Sequence, residues 1–116
     1  MAANKFYGNY QESGSCDQTG AENFFVSIGQ AADTALHITG LWNINSTVTA
    51  VLTPNGLGFT IPPTAVSGTP AGTVTISGNG TRTASNPNII ANFNVIYDIG
   101  GGPVTDHCLN ILWTKY

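Results

Sequence analysis

The chain has 116 residues, enough for one domain with a real hydrophobic core and not for two. Only 8% of them are charged, and the fixed cations Lys5, Arg82 and Lys115 are spread along a chain of net charge -3. No basic patch is left to neutralise phosphates, which argues against nucleic acid as a partner, and no apolar run is long enough to be a transmembrane segment.

Met1-Ala2-Ala3 has neither the charged start nor the apolar stretch of a signal peptide, and is read as standing in place of one. Phe6 to Ser13 is the first predicted strand, followed by turn residues Ser13-Gly14-Ser15 and Asp17-Gln18-Thr19-Gly20. Glu22 to Gln30 carries Phe24, Val26 and Ile28 at period two, and Ala35 to Asn43 repeats the pattern with Leu36, Ile38, Gly40 and Trp42. The intervening Ala31-Ala32-Asp33-Thr34 is too short to propagate a helix and is expected to be a connection. Ser46 to Thr53, Pro54-Asn55-Gly56 and Leu57 to Ile61 read as a hairpin that Pro62-Pro63 should end, because proline cannot donate to a sheet ladder. Thr64 to Pro70 is expected as loop or short extended chain, Gly72 to Ser77 as a strand, and Gly78-Asn79-Gly80 as a turn before Thr81-Arg82-Thr83. Ile89 to Ile99 is the longest alternating run, and Gly100-Gly101-Gly102-Pro103 turns it into a closing strand, Asp106 to Tyr116.

An antiparallel pairing that sets Cys108 opposite Cys16 also sets Tyr116 opposite Gly8, so the first and last strands can pair and close the sheet. The fold class is therefore all-β, an antiparallel meander of about eight strands closed into a small single-domain barrel, with a β-sandwich as the alternative. The same register predicts a Cys16–Cys108 disulfide and, with it, an oxidising compartment: secreted, periplasmic or on the outer cell surface. It also raises a conflict of phase. Direct pairing of the cysteines puts Phe6 and Tyr10 on the face of Asn110, Leu112 and Thr114, whereas Leu109, Ile111 and Trp113 are the more apolar set. A one-residue bulge at Gly14, or a disulfide just beyond the paired region, would resolve it.

The run Phe6-Tyr7-Gly8-Asn9-Tyr10, the early cysteine, the segment Gly-Thr-Val-Thr-Ile-Ser-Gly-Asn-Gly at 72–80, and a last strand carrying Cys108 and Trp113-Thr114-Lys115 resemble the small calycin-like β-barrel lipoprotein domains of Gram-negative bacteria. Gly8-x-Tyr10 is also similar to the Gly-x-Trp opening of lipocalins, with Tyr in place of Trp. The resemblance covers nearly the whole chain. It implies attachment to the cell envelope through a lipid-bearing cysteine upstream of this sequence, and it assigns no activity.

The residues themselves argue against catalysis. In Asp106-His107-Cys108 strand alternation sends His107 and Cys108 to opposite faces, and the thiol is consumed in the disulfide. His37 alternates with Leu36 and Ile38 and should face water; Glu12, Asp17, Asp98 and Asp106 read as solvated acids near strand ends. No catalytic, phosphate-binding or ordered metal-ligand motif is evident, so neither enzyme activity nor a cofactor is expected. Asn45-Ser46-Thr47, Asn79-Gly80-Thr81 and Asp33-Thr34-Ala35 match glycosylation signals of a kind common by chance in so Thr-rich a chain.

Two functions remain. The expected one is a structural or protein-interaction module with a filled interior. Phe25, Leu41, Val51, Ile90 and Ile96 fall out of the inward phase and are its interface candidates, for self-association or for docking to a larger envelope protein. The alternative is a lipocalin-like carrier holding a small apolar molecule or sugar, with Trp42, Tyr97 and Trp113 as ligand-binding candidates.

Overall fold

The computed structural model describes residues 5–82 and 87–116; Met1-Ala2-Ala3 and Thr83 of the sequence reading lie outside them. Eight antiparallel strands close into a barrel: β1 (Gly8–Ser13), β4 (Phe25–Ala32), β5 (Ala35–Thr39), β6 (Thr47–Leu52), β7 (Gly58–Thr69), β8 (Gly72–Thr81), β9 (Ile89–Tyr97) and β10 (Val104–Lys115). β10 returns to pair with β1, which also pairs with β4. Two short strands, β2 (Ser15–Cys16) and β3 (Gly20–Ala21), lie between β1 and β4 in sequence, with β2 laid on β10. The period-two pattern explains the closure. One phase of each strand, including Tyr10, Val26, Ile38, Val48, Phe93 and Trp113, is buried inside, and Thr, Asn and Ser take most of the other phase.

The phase conflict is resolved by a bulge on the last strand. Ser13 pairs with Leu112 and Cys16 with Cys108, so β10 spends one residue more than the opposing chain between these points. The same shift interrupts the β9–β10 ladder between Cys108 and Ile111. It sits at Leu109-Asn110, where Asn110 has φ 56, and not at Gly14 as the sequence suggested. Gly14 lies beside it because a side chain there would strike Ile111. The extra residue turns Leu109 outward, lets Cys108 and Ile111 both face in, and moves the far register by one, so that the Tyr116 N–H donates to the Asn9 carbonyl instead of Tyr116 facing Gly8.

Three expected breaks are absent. Pro62-Pro63 does not end a strand; β7 runs through them with a register shift between Ile61 and Thr64, which absorbs the missing donors. Residues 64–69, expected as loop, continue β7 into a long hairpin with β8. Gly78-Asn79-Gly80 is not a turn but the interior of β8. The glycines are needed for space: Gly80 faces Phe59 across the ladder and a Cβ there would collide with its ring, while one on Gly78 would meet Phe93 and the Asn92 carbonyl. Ser13-Gly14-Ser15, expected as a turn, is the step from β1 to β2, and Ala31-Ala32, expected in a connection, extend β4; the remaining expected turns hold. Asp33-Thr34 joins β4 to β5, and Asp98 Oδ1 accepts from the Gly100 and Gly102 N–H groups to shape the turn into β10.

An aromatic column fills the barrel. The rings of Phe6 and Phe59 meet edge to face at 5.7 Å, Phe59 stacks on Trp113 at 6.1 Å, and Trp113 lies 6.3 Å from Tyr10. All four are essentially inaccessible to solvent. The Tyr10 hydroxyl donates to the Phe6 carbonyl and the Trp113 indole N–H to Glu12 Oε2, so both buried polar handles are satisfied.

Cys16 and Cys108 form a disulfide across a sequence separation of 92 residues, joining the start of the chain to its closing strand. Cross-linking a loop of that size should stabilise the fold by about 4 to 5 kcal/mol in the chain-entropy treatment. Alkylation of the folded, unreduced protein should label no thiol by intact mass. Urea unfolding of the Cys16→Ala/Cys108→Ala variant should show a loss of this order. Two labelled thiols, or an unchanged midpoint in the variant, would remove the disulfide from the account of stability.

Candidate functional site

The chain between β1 and β4 does not run straight from one strand to the next. Residues 14–24 fold back over one end of the barrel, held by the Glu22 N–H donating to the Gly14 carbonyl and the Asp17 N–H donating to the His107 carbonyl. This excursion carries Glu22 inward. At the same end the β5–β6 connection turns sharply at Gly40, φ 105, where a Cβ would run into the Phe25 carbonyl, and forms a 3-10 turn over Leu41–Asn43. The tip of the β7–β8 hairpin, Pro70-Ala71, completes the rim. Between them lies a pocket of about 290 Å³ lined by Thr19, Glu22, Phe24, Trp42, Ile44, Ala71 and their neighbours. That is close to the lower limit of small-molecule sites, about 300 Å³.

Trp42 is held there by three means. Its backbone is in the left-handed region, φ 56, as is that of Asn43. Asparagine tolerates this conformation; a bulky residue adopts it at a cost of about 1–3 kcal/mol, which the surroundings must offset. The indole N–H donates to Asp106 Oδ2 at 2.8 Å, and the ring packs 5.4 Å from that of Tyr97. Asp106 is fully buried and also accepts from the Thr19 hydroxyl, 2.6 Å, and the Gln18 N–H, 2.8 Å. One carboxylate thus ties the excursion to the β5–β6 turn.

Behind Trp42 the barrel interior is acidic. Glu12 and Glu22 are each about 1% exposed. Burial, followed by the charge of Glu22, pushes the Glu12 carboxyl up to about 9, and burial also raises Glu22, against the lowering pull of Glu12 and of the Trp42 backbone N–H. Each group bears on the other's proton, yet Oε1 of both is without a partner in hydrogen-bond geometry. Glu22 Oε2 lies 3.7 Å from Cys16 Sγ. A disulfide sulfur has no proton to donate, so the carboxyl's own proton would have to bridge that contact. The sulfurs of Cys16 and Cys108 come within 4.8 Å of an Asp106 oxygen, but sulfurs bonded to each other are not thiolate ligands, and the three do not make a metal donor set.

Of the sequence-derived ligand candidates, Trp42 lines the pocket, Tyr97 supports it from behind, and Trp113 is sealed in the aromatic column away from the rim. Of the interface candidates, Phe25, Val51, Ile90 and Ile96 are on the surface, Phe25 the most exposed at 62%. Leu41 is buried at 2%, because β5 stops at Thr39 and the Gly40 turn takes the next residues out of strand alternation. Glu12 and Asp106 are not solvated acids. Glu12 shares the inward phase of Tyr10, and Asp106 that of Cys108, a signal present in the alternation itself. Glu22, expected as the start of the second strand in the phase of Val26 and Ile28, lies before β4 and is buried in that same phase. His37 is exposed on β5, and His107 points outward, its Nδ1 3.0 Å from Asp17 Oδ2. Two hydrogen bonds from His107, the backbone one foremost, hold the Asp17 carboxyl below its usual range.

No protein-family model, no curated protein and no solved structure matches this chain.

Both interior glutamates have folded-state values above the ordinary one near 4.5, so the fold retains protons that the unfolded chain has released. Stability should be greatest near pH 5 and decline as pH rises toward 9, by at most about 1.4 kcal/mol per pH unit for each carboxyl. Asp17, with its lowered value, acts in the opposite sense only at pH below this window. Thermal unfolding from pH 5 to pH 9 measures the slope, and Glu12→Gln, which keeps an acceptor for Trp113, should flatten it. A melting temperature that rises over this range would contradict the buried acid pair.

Proposed function

We propose that this chain is a non-enzymatic, extracytoplasmic binding module that takes a small ligand in the pocket at the end of a packed β-barrel. The observation that carries this reading is Trp42. Its strained backbone, its bond to the buried Asp106 and its packing on Tyr97 hold an indole face at the rim of a partly apolar pocket, beside a buried carboxyl with an unpartnered oxygen. Strain of this kind concentrates at binding sites, where the surrounding structure over-determines it. The filled aromatic column leaves no deep calyx, so a lipocalin-like carrier of a long lipid is not the form we propose; a compact ligand at one end is. The small antiparallel barrel is consistent with a calycin-like fold. The disulfide fits an oxidising compartment, and among the described residues no helix is long and apolar enough to cross a membrane. Attachment to an envelope as a lipoprotein rests on the sequence resemblance alone. The non-enzymatic part of the reading is supported by the split of Asp106-His107-Cys108 between the two faces of β10.

A screen of small aromatic and aliphatic fragments by amide and indole NMR shifts tests the pocket. Hits should converge on the Trp42 indole N–H, Thr19 and Ala71, and should be lost in Ala71→Trp, which fills the cavity from the hairpin tip, where Ala71 is only partly buried. Hits scattered over the barrel, or surviving that variant, would sink the reading.

A second reading, association through the outer face, is favoured by one specific arrangement. Phe25 and Tyr116, both well exposed, meet edge to face at 5.7 Å, and on the adjacent β10–β9 pair Leu112 faces Ile90 across the ladder. Self-association by this face would show as a rising mass in light scattering over a concentration series, reversed by Phe25→Glu. A constant monomer mass at high concentration would leave this face without a self-partner.

A further inference from the structure

The two ends of the barrel differ in charge. β1 begins and β10 ends at the end remote from the pocket, and there Arg82 packs 5.7 Å from the Phe6 ring and Lys115 5.9 Å from the Tyr10 ring. The pocket end holds the buried acids. Glu12 faces Glu22 from β1, Asp106 faces it from β10, and the disulfide and the Trp42 backbone N–H complete its surroundings. Among the described residues no Lys or Arg pairs with any of the three acids, and the one ion pair, His107 with Asp17, lies on the outer surface. Asp106 has its three donors. Glu22 is held differently: it is about 1% exposed, lines the pocket, and is matched only by the proton it shares with Glu12 and by the Trp42 backbone N–H, with no cation beside it among the described residues. A buried carboxyl that shares a proton with a second acid lacks a positive charge, and a cationic donor removes the electrostatic penalty of ionising it.

The remaining walls narrow the chemistry. The indole of Trp42 is the aromatic face best suited to a cation. Phe24, Ile44, Pro70 and Ala71 surround it with apolar surface. A metal ion or a strongly hydrated cation would find too few oxygen ligands in such a wall.

We infer that the pocket selects a small organic ammonium ion with a compact apolar or aromatic body, its N–H groups donating to Glu22 and its positive charge lying against Trp42. This rests on the reading of the end pocket as a ligand site and names the class of ligand. Proton balance follows from the acid pair. An ammonium ion entering against the protonated pair displaces one proton from Glu22 to water; a neutral amine would take that proton itself and bind as the same ammonium–carboxylate pair. Uptake of the ammonium form therefore strengthens as pH rises, until the free amine loses its own proton.

Benzylamine and its neutral isostere benzyl alcohol are suitable probes, titrated into the intact disulfide-bonded protein at pH 7.5 with NMR shifts of the Trp42 indole N–H and calorimetry as readouts. Benzylamine should bind at least about tenfold more tightly than the alcohol, a difference of about 1.4 kcal/mol, and more weakly at pH 5.5 than at pH 7.5. Glu22→Gln, which keeps the shape and removes the charge, should erase the preference while leaving the alcohol's affinity in place. Trp42→Leu should weaken benzylamine more than benzyl alcohol, and serves if the Glu22 variant does not fold. Equal binding of the two probes, or a preference surviving Glu22→Gln, would overturn the ammonium inference and leave the ligand site standing. If neither probe nor any fragment perturbs the pocket, both fall together.

Discussion

The pairing of β1 with β10 is the constraint on which the rest depends. It closes the sheet, removes both edges and creates the enclosed space that the aromatic column fills. The disulfide reinforces the closure one step beyond the paired residues, on β2. A barrel closed by strands of strictly alternating phase could not bury both Cys108 and Trp113 while keeping Leu109 outside. The bulge at Leu109-Asn110 reconciles them, and it does so by placing one residue, Asn110, in a conformation that asparagine tolerates. The Asn110 N–H, freed from the ladder, donates to the Asn92 side chain at 2.8 Å.

The interior is divided by chemistry along its axis. One stretch is packed like any small core, and within its aromatic column the Tyr10 phenol and the Trp113 indole each reach an acceptor. The other stretch holds three buried carboxyl groups, and burial penalises the charge of two of them, Glu12 and Glu22. Asp106 is satisfied three times over and links two loops; Glu12 and Glu22 are satisfied only in part. Stability alone would favour apolar residues at such positions. That the incompletely paired acids lie next to the strained Trp42, and not at random in the barrel, connects the electrostatics of the interior to the pocket above it.

The outer surface has its own logic. With so few charges, the barrel relies on Thr, Asn and Ser on its outward phase, and hydrogen bonds such as that between Thr39 and Thr47 hydroxyls stand in for surface ion pairs. Apolar side chains that do reach the surface are therefore poorly guarded by charge, which gives the Phe25–Tyr116 and Ile90–Leu112 pairs weight as an association surface distinct from the pocket.

By itself the sequence determined what depends on short-range periodicity and on the matched spacing of two cysteines: an all-β chain, the inward set from Val26 to Trp113, the closure of first strand on last, and the Cys16–Cys108 bond. These are legible because a strand's two faces alternate at a fixed period and one face must be dry. Local breakers were less informative. Pro62-Pro63 and Gly78-Asn79-Gly80 read as interruptions, but their meaning was set by partners far away in the chain, a bulge opposite β8 in one case and the rings of Phe59 and Phe93 in the other. The phase that buries Glu12 was visible beside Tyr10, and was masked by the expectation that acids face water. The candidate site was hardly legible at all beyond Trp42 as a ligand residue. Its wall comes from the 14–24 excursion, the Gly40 turn and the tip of the β7–β8 hairpin, segments with no common period. Only the tertiary structure could bring Glu22, Trp42 and Ala71 together, because loop direction is decided by contacts such as Asp106 with Trp42, 64 residues apart in sequence, and not by the pattern within any one segment.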